Sequence, residues 1–353
     1  MTAPVPVPHD LPLPLPAPAG MLAVLLVVFF LLHILFVNFM VGGSILTIYY
    51  ELKGRKNKVY DHLAHAIGRT ITANKSLAVV LGVGPLLAIN TLYTVYFYSA
   101  NALTGHVWIL IVPLVAGAFL LTYLHKYTWH ALENHKLLHI AIGASATAAF
   151  LFVPLIFLTN INLMLFPDKW LVVKEFFSAL SLPNVWPRYA HFMLACLALT
   201  GLFLVWLFRR ADEEAIAEIG LPRATLLRTG YAWAFWPTVA QFFVGPVVLL
   251  TLPQVGAHSI GTFAAPTLIG AFIAIFAALL MYLELKSPDN RIGGRFWKVA
   301  VLILVVIGFM GTGRHLYREA AISPHRALVH QKTLDYQKAV DNAAKNQKPD
   351  AQP

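Results

Sequence analysis

Three histidines of this chain stand inside or at the edge of apolar runs: His33 in "HILFVNFMVGG", His139 at the end of "HKYTWHALENHKLLH", and His191 in "NVWPRYAHFMLACLALTG". A polar group left unsatisfied among apolar helices is costly, so each imidazole needs a role. Three roles compete: a hydrogen bond to a neighbouring helix, a proton relay, or axial ligation of haem iron in a slot between helices. Relays normally work with buried carboxylates, and the apolar runs contain almost none away from their ends. Gly42, Gly43, Gly82 and Gly84 would let a flat macrocycle or a neighbouring backbone come close. His135 and His139 are four apart and could share a helix face, a spacing that also suits a metal ion, although Lys126 and Lys136 beside them suit a juncture with lipid headgroups. His9, His62, His65, His258, His325 and His330 fall in loops or termini and read as ordinary solvated side chains.

The elements that must hold these residues are membrane helices. Of 353 residues, 58% are hydrophobic and only 12% charged, and the mean hydropathy is +0.68, too apolar for a soluble domain of this length. About twenty apolar residues cross a bilayer as a helix. By that measure eight spans are predicted, at 21–49, 76–99, 106–124, 138–166, 189–208, 231–252, 264–285 and 298–313, with Pro85, Pro154 and Pro246 as sites of bending. The net charge of +10 does not indicate nucleic acid, because the basic residues sit in loops between the spans. Sixteen Lys and Arg, from Lys53 to Lys298, lie on one face, whereas the opposite loops hold only Lys169, Lys174 and Arg188. The positive-inside rule then places both termini outside the bacterial cytoplasmic membrane. One cysteine, Cys196, and the lack of CxxC or CxxCH exclude an intrachain disulfide and covalent haem attachment. The expected organisation is a Pro-rich extracytoplasmic arm (1–20), a transmembrane domain (21–313) and a polar extracytoplasmic tail (314–353). The arm is read as extended and solvated, and the tail as a helix capped by Ser323 with Pro324 in its first turn, followed by disorder.

Several stretches, in order over roughly residues 20 to 320, resemble subunit I of the cytochrome bd quinol oxidases. "LLHILFVNFMVGGSILTIYYEL" is similar to the family's first helix, whose histidine ligates the high-spin haem b, and this carries over to His33. "TITANKSLAVVLGVGPLLAINTLYTVYFYSAN" resembles the second helix and "NHKLLHIAIGASA" the start of the fourth, which puts its histidine at His139. "NVWPRYAHFMLACLALTGLFLVW" resembles the fifth, whose histidine ligates the low-spin haem b, at His191; "GFMGTGRHLYRE" is similar to the family's "GRQPW" stretch at Arg314. The departures fall on the oxygen chemistry. Apolar residues near Val112 and Leu120 stand where the family has proton-path glutamates, Leu304 where it has the glutamate of the high-spin haem pair, and Ala274, with Met281 further on, where it has the methionine ligand. The long quinol-binding loop shrinks to "LPQVGAHSIGTF".

The resemblance therefore implies a bundle holding one or two haems b through His33 and His191, with His139, Arg188, Arg314 and His315 nearby and the arginines pairing with propionates. Lys75, Trp186, Tyr189 and Gln241 are the expected contacts of a quinone headgroup. With no acids to protonate reduced oxygen, electrons would pass between quinol and an extracytoplasmic partner, a c-type cytochrome, alongside other membrane subunits. Two alternatives stay open: a subunit of a reduced bd-type quinol:oxygen oxidoreductase, and a haem-free anchoring subunit of a respiratory complex. Counted from the span starts, His33 is about 18 Å below its outer end and His191 close to its own, so each is read as ligating separately.

Overall fold

The computed structural model describes residues 6–11, 14–252, 255 and 257–346, excepting the side chains of 72–76, 257–259 and 346. Every regular element among them is helical. Helix α1 (Ala19–Gly54) carries an almost unbroken apolar run and ends where Lys53 and Gly54 meet the loop. Asn57 then caps α2 (Lys58–Leu92), its side chain accepting from the Val59 amide at 3.1 Å. The chain breaks at Tyr93 and resumes as α3 (Thr94–Ile109), which is bent at Gly105, where φ is 50° and ψ −122°. Only glycine enters that region cheaply, so α3 and α4 (Ile111–Tyr127) form one bent span.

The remaining helices are α5 (Lys136–Met164), the short α6 (Phe176–Leu180), α7 (Val185–Arg210), α8 (Glu213–Ile219), α9 (Arg223–Leu250), α10 (Ala257–Leu285) and α11 (Phe296–Asn346). Seven described helices are long and apolar enough to cross a membrane, counting α3 with α4 as one. The second predicted span corresponds to the shorter apolar stretch Leu77–Leu92 of α2. Large apolar side chains such as Val80, Leu120, Phe243 and Leu250 stay exposed on the outward faces, as a lipid-facing surface requires.

Sequence neighbours pair most extensively: α1 with α2, α4 with α5, α7 with α9, and α10 with α11. The first and third pairs join where α1 meets α7. There a Cβ on Gly42 would lie 2.3 Å from both the Cys196 carbonyl oxygen and Thr200 Oγ1, so only glycine permits that separation. The loops after α1, α4, α7 and α10 gather at one end of the bundle, the basic end; the two chain arms lie at the other, the terminal end.

Two expectations for the arms are corrected. Val7 is fully buried and its carbonyl accepts from Lys332 Nζ at 2.6 Å; the Asp10 amide donates to Thr333 Oγ1 at 2.8 Å, and His9 stacks on Tyr336. Residues 7, 9 and 10 of the arm are thus held against α11, while Pro8, Leu11, Pro14, Leu15, Pro16 and Pro18 stay exposed. Ser323 caps no new helix, because α11 continues through Pro324 to Asn346. Proline deprives the Ala320 carbonyl of its usual amide partner, and the Ser323 hydroxyl donates to that same oxygen at 3.2 Å instead.

Candidate functional site

Toward the terminal end, α1 presents His33 to α2. Its Nδ1 donates to the Ala78 carbonyl at 2.8 Å, which leaves Nε2 as the lone-pair nitrogen, with no hydrogen-bond partner among the described residues. The ring lies against Gly82, where a Cβ would come within 2.8 Å of Cε1. One turn nearer the terminal end on α1, Phe30 carries the Arg314 guanidinium 4.4 Å above its ring. Arg314, Arg188 and Arg318 lie close enough for their charges to act on one another. No carboxylate among the described residues comes within 4.0 Å of any of the three. His315 joins this group with a buried Nδ1 that has no partner there. Arg188, Arg314 and His315 thus lie near one another together with Arg318, which sequence reasoning missed; its position one turn after Arg314 was the available signal.

His191 projects from α7 toward α9. Gln241 donates through Nε2 to the His191 carbonyl at 3.3 Å and approaches His191 Nε2 at 3.5 Å, while His191 Nδ1 is buried without a partner among the described residues. Helix register revises the depth difference between the two histidines. Cys196 Sγ donates to Asn38 Oδ1 at 3.2 Å, and His33 and His191 each stand five residues before their own member of that pair. On helices running in the same direction, both lie about 7.5 Å nearer the terminal end than the contact, hence at one level. Five residues also turn each ring about 140° away from the contact, to opposite sides, so they face α2 and α9 and not each other.

Of the expected quinone contacts, three have described side chains. Tyr189 spends its hydroxyl on the Leu151 carbonyl at 3.0 Å, Gln241 holds His191, and Trp186 is exposed and edge-on to Tyr189. The side chain of Lys75 lies outside the described part of the structure.

His139 belongs to a different place, at the basic end. Glu51, in the last turn of α1, is fully buried; Oε2 accepts from His125 Nε2 at 2.8 Å, and Oε1 accepts from His139 Nδ1 and pairs with Lys136 Nζ at 2.9 Å. Lys136 also pairs with Asp61 at 2.6 Å. His139 Nε2 donates to the His125 carbonyl at 2.7 Å, so both nitrogens of His139 face acceptors within this cluster. Trp129 closes one side, edge-on to both rings, and Gly143 the other, where a Cβ would come within 2.7 Å of His125. His135, the expected helix-face partner of His139, is exposed; the real partner is His125, fourteen residues earlier on α4.

In comparisons with known proteins, no family model matches the chain and no curated protein matches it.

Proposed function

We propose that this chain is a haem b-bearing membrane subunit, related to subunit I of the cytochrome bd oxidases, that passes electrons between the quinone pool and an extracytoplasmic c-type cytochrome. The observation that carries the reading is the conjunction at the terminal end. His33 has its Nδ1 occupied by a backbone carbonyl and its Nε2 unengaged, the arrangement typical of metal-ligating histidines, and Arg314 stands one turn away with Arg188 and Arg318 beside it. Three cations with no carboxylate within 4.0 Å among the described residues favour an anionic ligand with more than one acid group. Porphyrin propionates satisfy that demand where His33 would supply the axial nitrogen.

In this reading the Ala78 carbonyl fixes the tautomer of His33, the arginines orient the propionates, and the apolar faces of α1 and α2 exclude water. Haem b bound there supplies one-electron transfer at iron. His191, at the same level on α7 and turned the other way, would serve a second haem independently, with Gln241 holding its backbone. His139 is left out of the haem set, because it sits with Glu51 and His125 at the basic end, away from His33 and the arginines. The weight of Lys and Arg on the basic loops supports a topology with both termini extracytoplasmic. The apolar residues at Val112, Leu120 and Leu304 disfavour oxygen reduction and so support export of electrons to a partner.

The test is the dithionite-reduced minus oxidised spectrum of the full chain purified in detergent, with pyridine haemochrome quantification. Haem b at one or two per chain is expected, reduced by quinol and without oxygen consumption, and His33→Ala removes one equivalent while the protein stays inserted. A folded wild-type protein with no Soret band overturns the reading and leaves a scaffold; quinol-driven oxygen consumption replaces it with the oxidase alternative.

A further inference from the structure

We infer that Glu51, His125 and His139 form a binding site for one divalent transition-metal ion, zinc by the preference of the donor set, at the basic end of the bundle. The inference does not depend on haem.

Three donors from three helices converge: a carboxylate from α1, Nε2 of His125 from α4 and Nδ1 of His139 from α5, all within 4.8 Å of one another. All three residues are buried. Two histidines and one glutamate are a recurrent zinc set that leaves a fourth position open. The surroundings orient each ligand. His139 donates its distal N–H to the His125 carbonyl, a bond that fixes Nδ1 as the nitrogen available to a metal once its proton leaves. Glu51 is steadied by Lys136, whose own charge is met by Asp61 at 2.6 Å. Trp129 and Gly143 hold the two imidazoles from either side, their rings stacked 4.1 Å apart. A cavity of about 30 Å³, large enough for a water molecule, adjoins His125 and is lined by Thr47, Thr122, Thr147, His65 and Lys126.

A metal ion here has to displace protons from both imidazoles. His125 Nε2 and His139 Nδ1, the two nitrogens that would face the ion, are both held on the Glu51 carboxylate. Both ligating nitrogens must give up the protons they now donate to Glu51: that of His139 Nδ1 leaves to solvent and that of His125 is exchanged from Nε2 to Nδ1, while Lys136 remains with Asp61.

The experiment uses the full-length protein in detergent, stripped with a chelator and equilibrated with zinc, the bound metal being counted by plasma mass spectrometry beside iron. One zinc per chain is expected, with affinity lowered at least about tenfold in His125→Ala and His139→Ala. A wild-type protein that takes up no zinc overturns the inference and leaves an ion network held by protons; uptake unchanged in both variants overturns it too. Should the variants fail to fold, X-ray absorption on the wild-type zinc decides, two imidazole nitrogens supporting the site and an all-oxygen shell refuting it. Because iron and zinc are counted separately, a colourless protein that binds zinc keeps this inference and loses the haem reading.

Discussion

Gly82 on α2 lies so close under His33 of α1 that an added methyl would meet the imidazole Cε1 at 2.8 Å. The ring cannot back away without releasing the Ala78 carbonyl. Gly82→Ala is therefore expected to turn His33 out of place at a cost of about 1–3 kcal/mol. Thermal unfolding in detergent and the ratio of haem to protein both check it, and both fall if His33 is an iron ligand; a lower melting temperature with an unchanged ratio would remove His33 from that role.

Glu51 is fully buried and answers three cationic or N–H donors. Glu51→Gln removes the charge and keeps the shape, leaving Lys136 with Asp61 alone and a half-satisfied imidazole. Breaking one partner of a buried ionic network costs about 3–5 kcal/mol. Denaturant titration in mixed micelles is expected to show a loss of that size, whereas Lys58→Ala, at an exposed ion pair with Glu133, changes little.

His65 lies near this cluster, on the part of α2 that precedes its apolar stretch, stacked on Trp129. Burial first, then the Arg69 charge and the neighbouring His130, lower its pKa from 6.5 to about 4, against the pull of Asp61. The unfolded chain therefore binds more protons than the folded one between those values, and stability falls as pH drops from about 6.5 toward 4. His65→Phe is expected to flatten that part of the stability profile, measured as melting temperature at pH 7 and pH 5. An equal slope in the variant would assign the effect elsewhere.

The α1–α7 junction has no room for a methyl. Gly42→Ala places carbon 2.3 Å from a backbone carbonyl that cannot rotate aside, so the two helices must separate. A loss of about 1–3 kcal/mol is expected. Gly20→Ala, with nothing within 4 Å of the added carbon, serves as the control and is expected to be neutral or slightly stabilising.

Hydropathy made the helical membrane architecture legible, because a span is a local property of about twenty residues. Breaks within spans were less legible: the bend at Gly105 depends on one backbone conformation, and the passage of α11 through Pro324 depends on Ser323 replacing a lost amide. The terminal-end cations were readable from Arg188 and Arg314, since arginines bordering apolar spans stand out. The Glu51 cluster was not. Its members are 74 and 88 residues from Glu51 in sequence, and each sits where a polar residue resembles a headgroup anchor. The spacing of His135 and His139 pointed to a helix face, but His135 lies in a short turn before α5 and faces solvent.

The strap between the first described residues and the end of α11 has a bearing on biosynthesis. Asp10 and Thr333 are 323 positions apart, and Val7 and Lys332 are 325 apart, so these bonds cannot form until nearly all of the chain has left the ribosome. The opening segment waits, unclasped, while helix after helix is laid into the bilayer, and fastens only when the last one arrives.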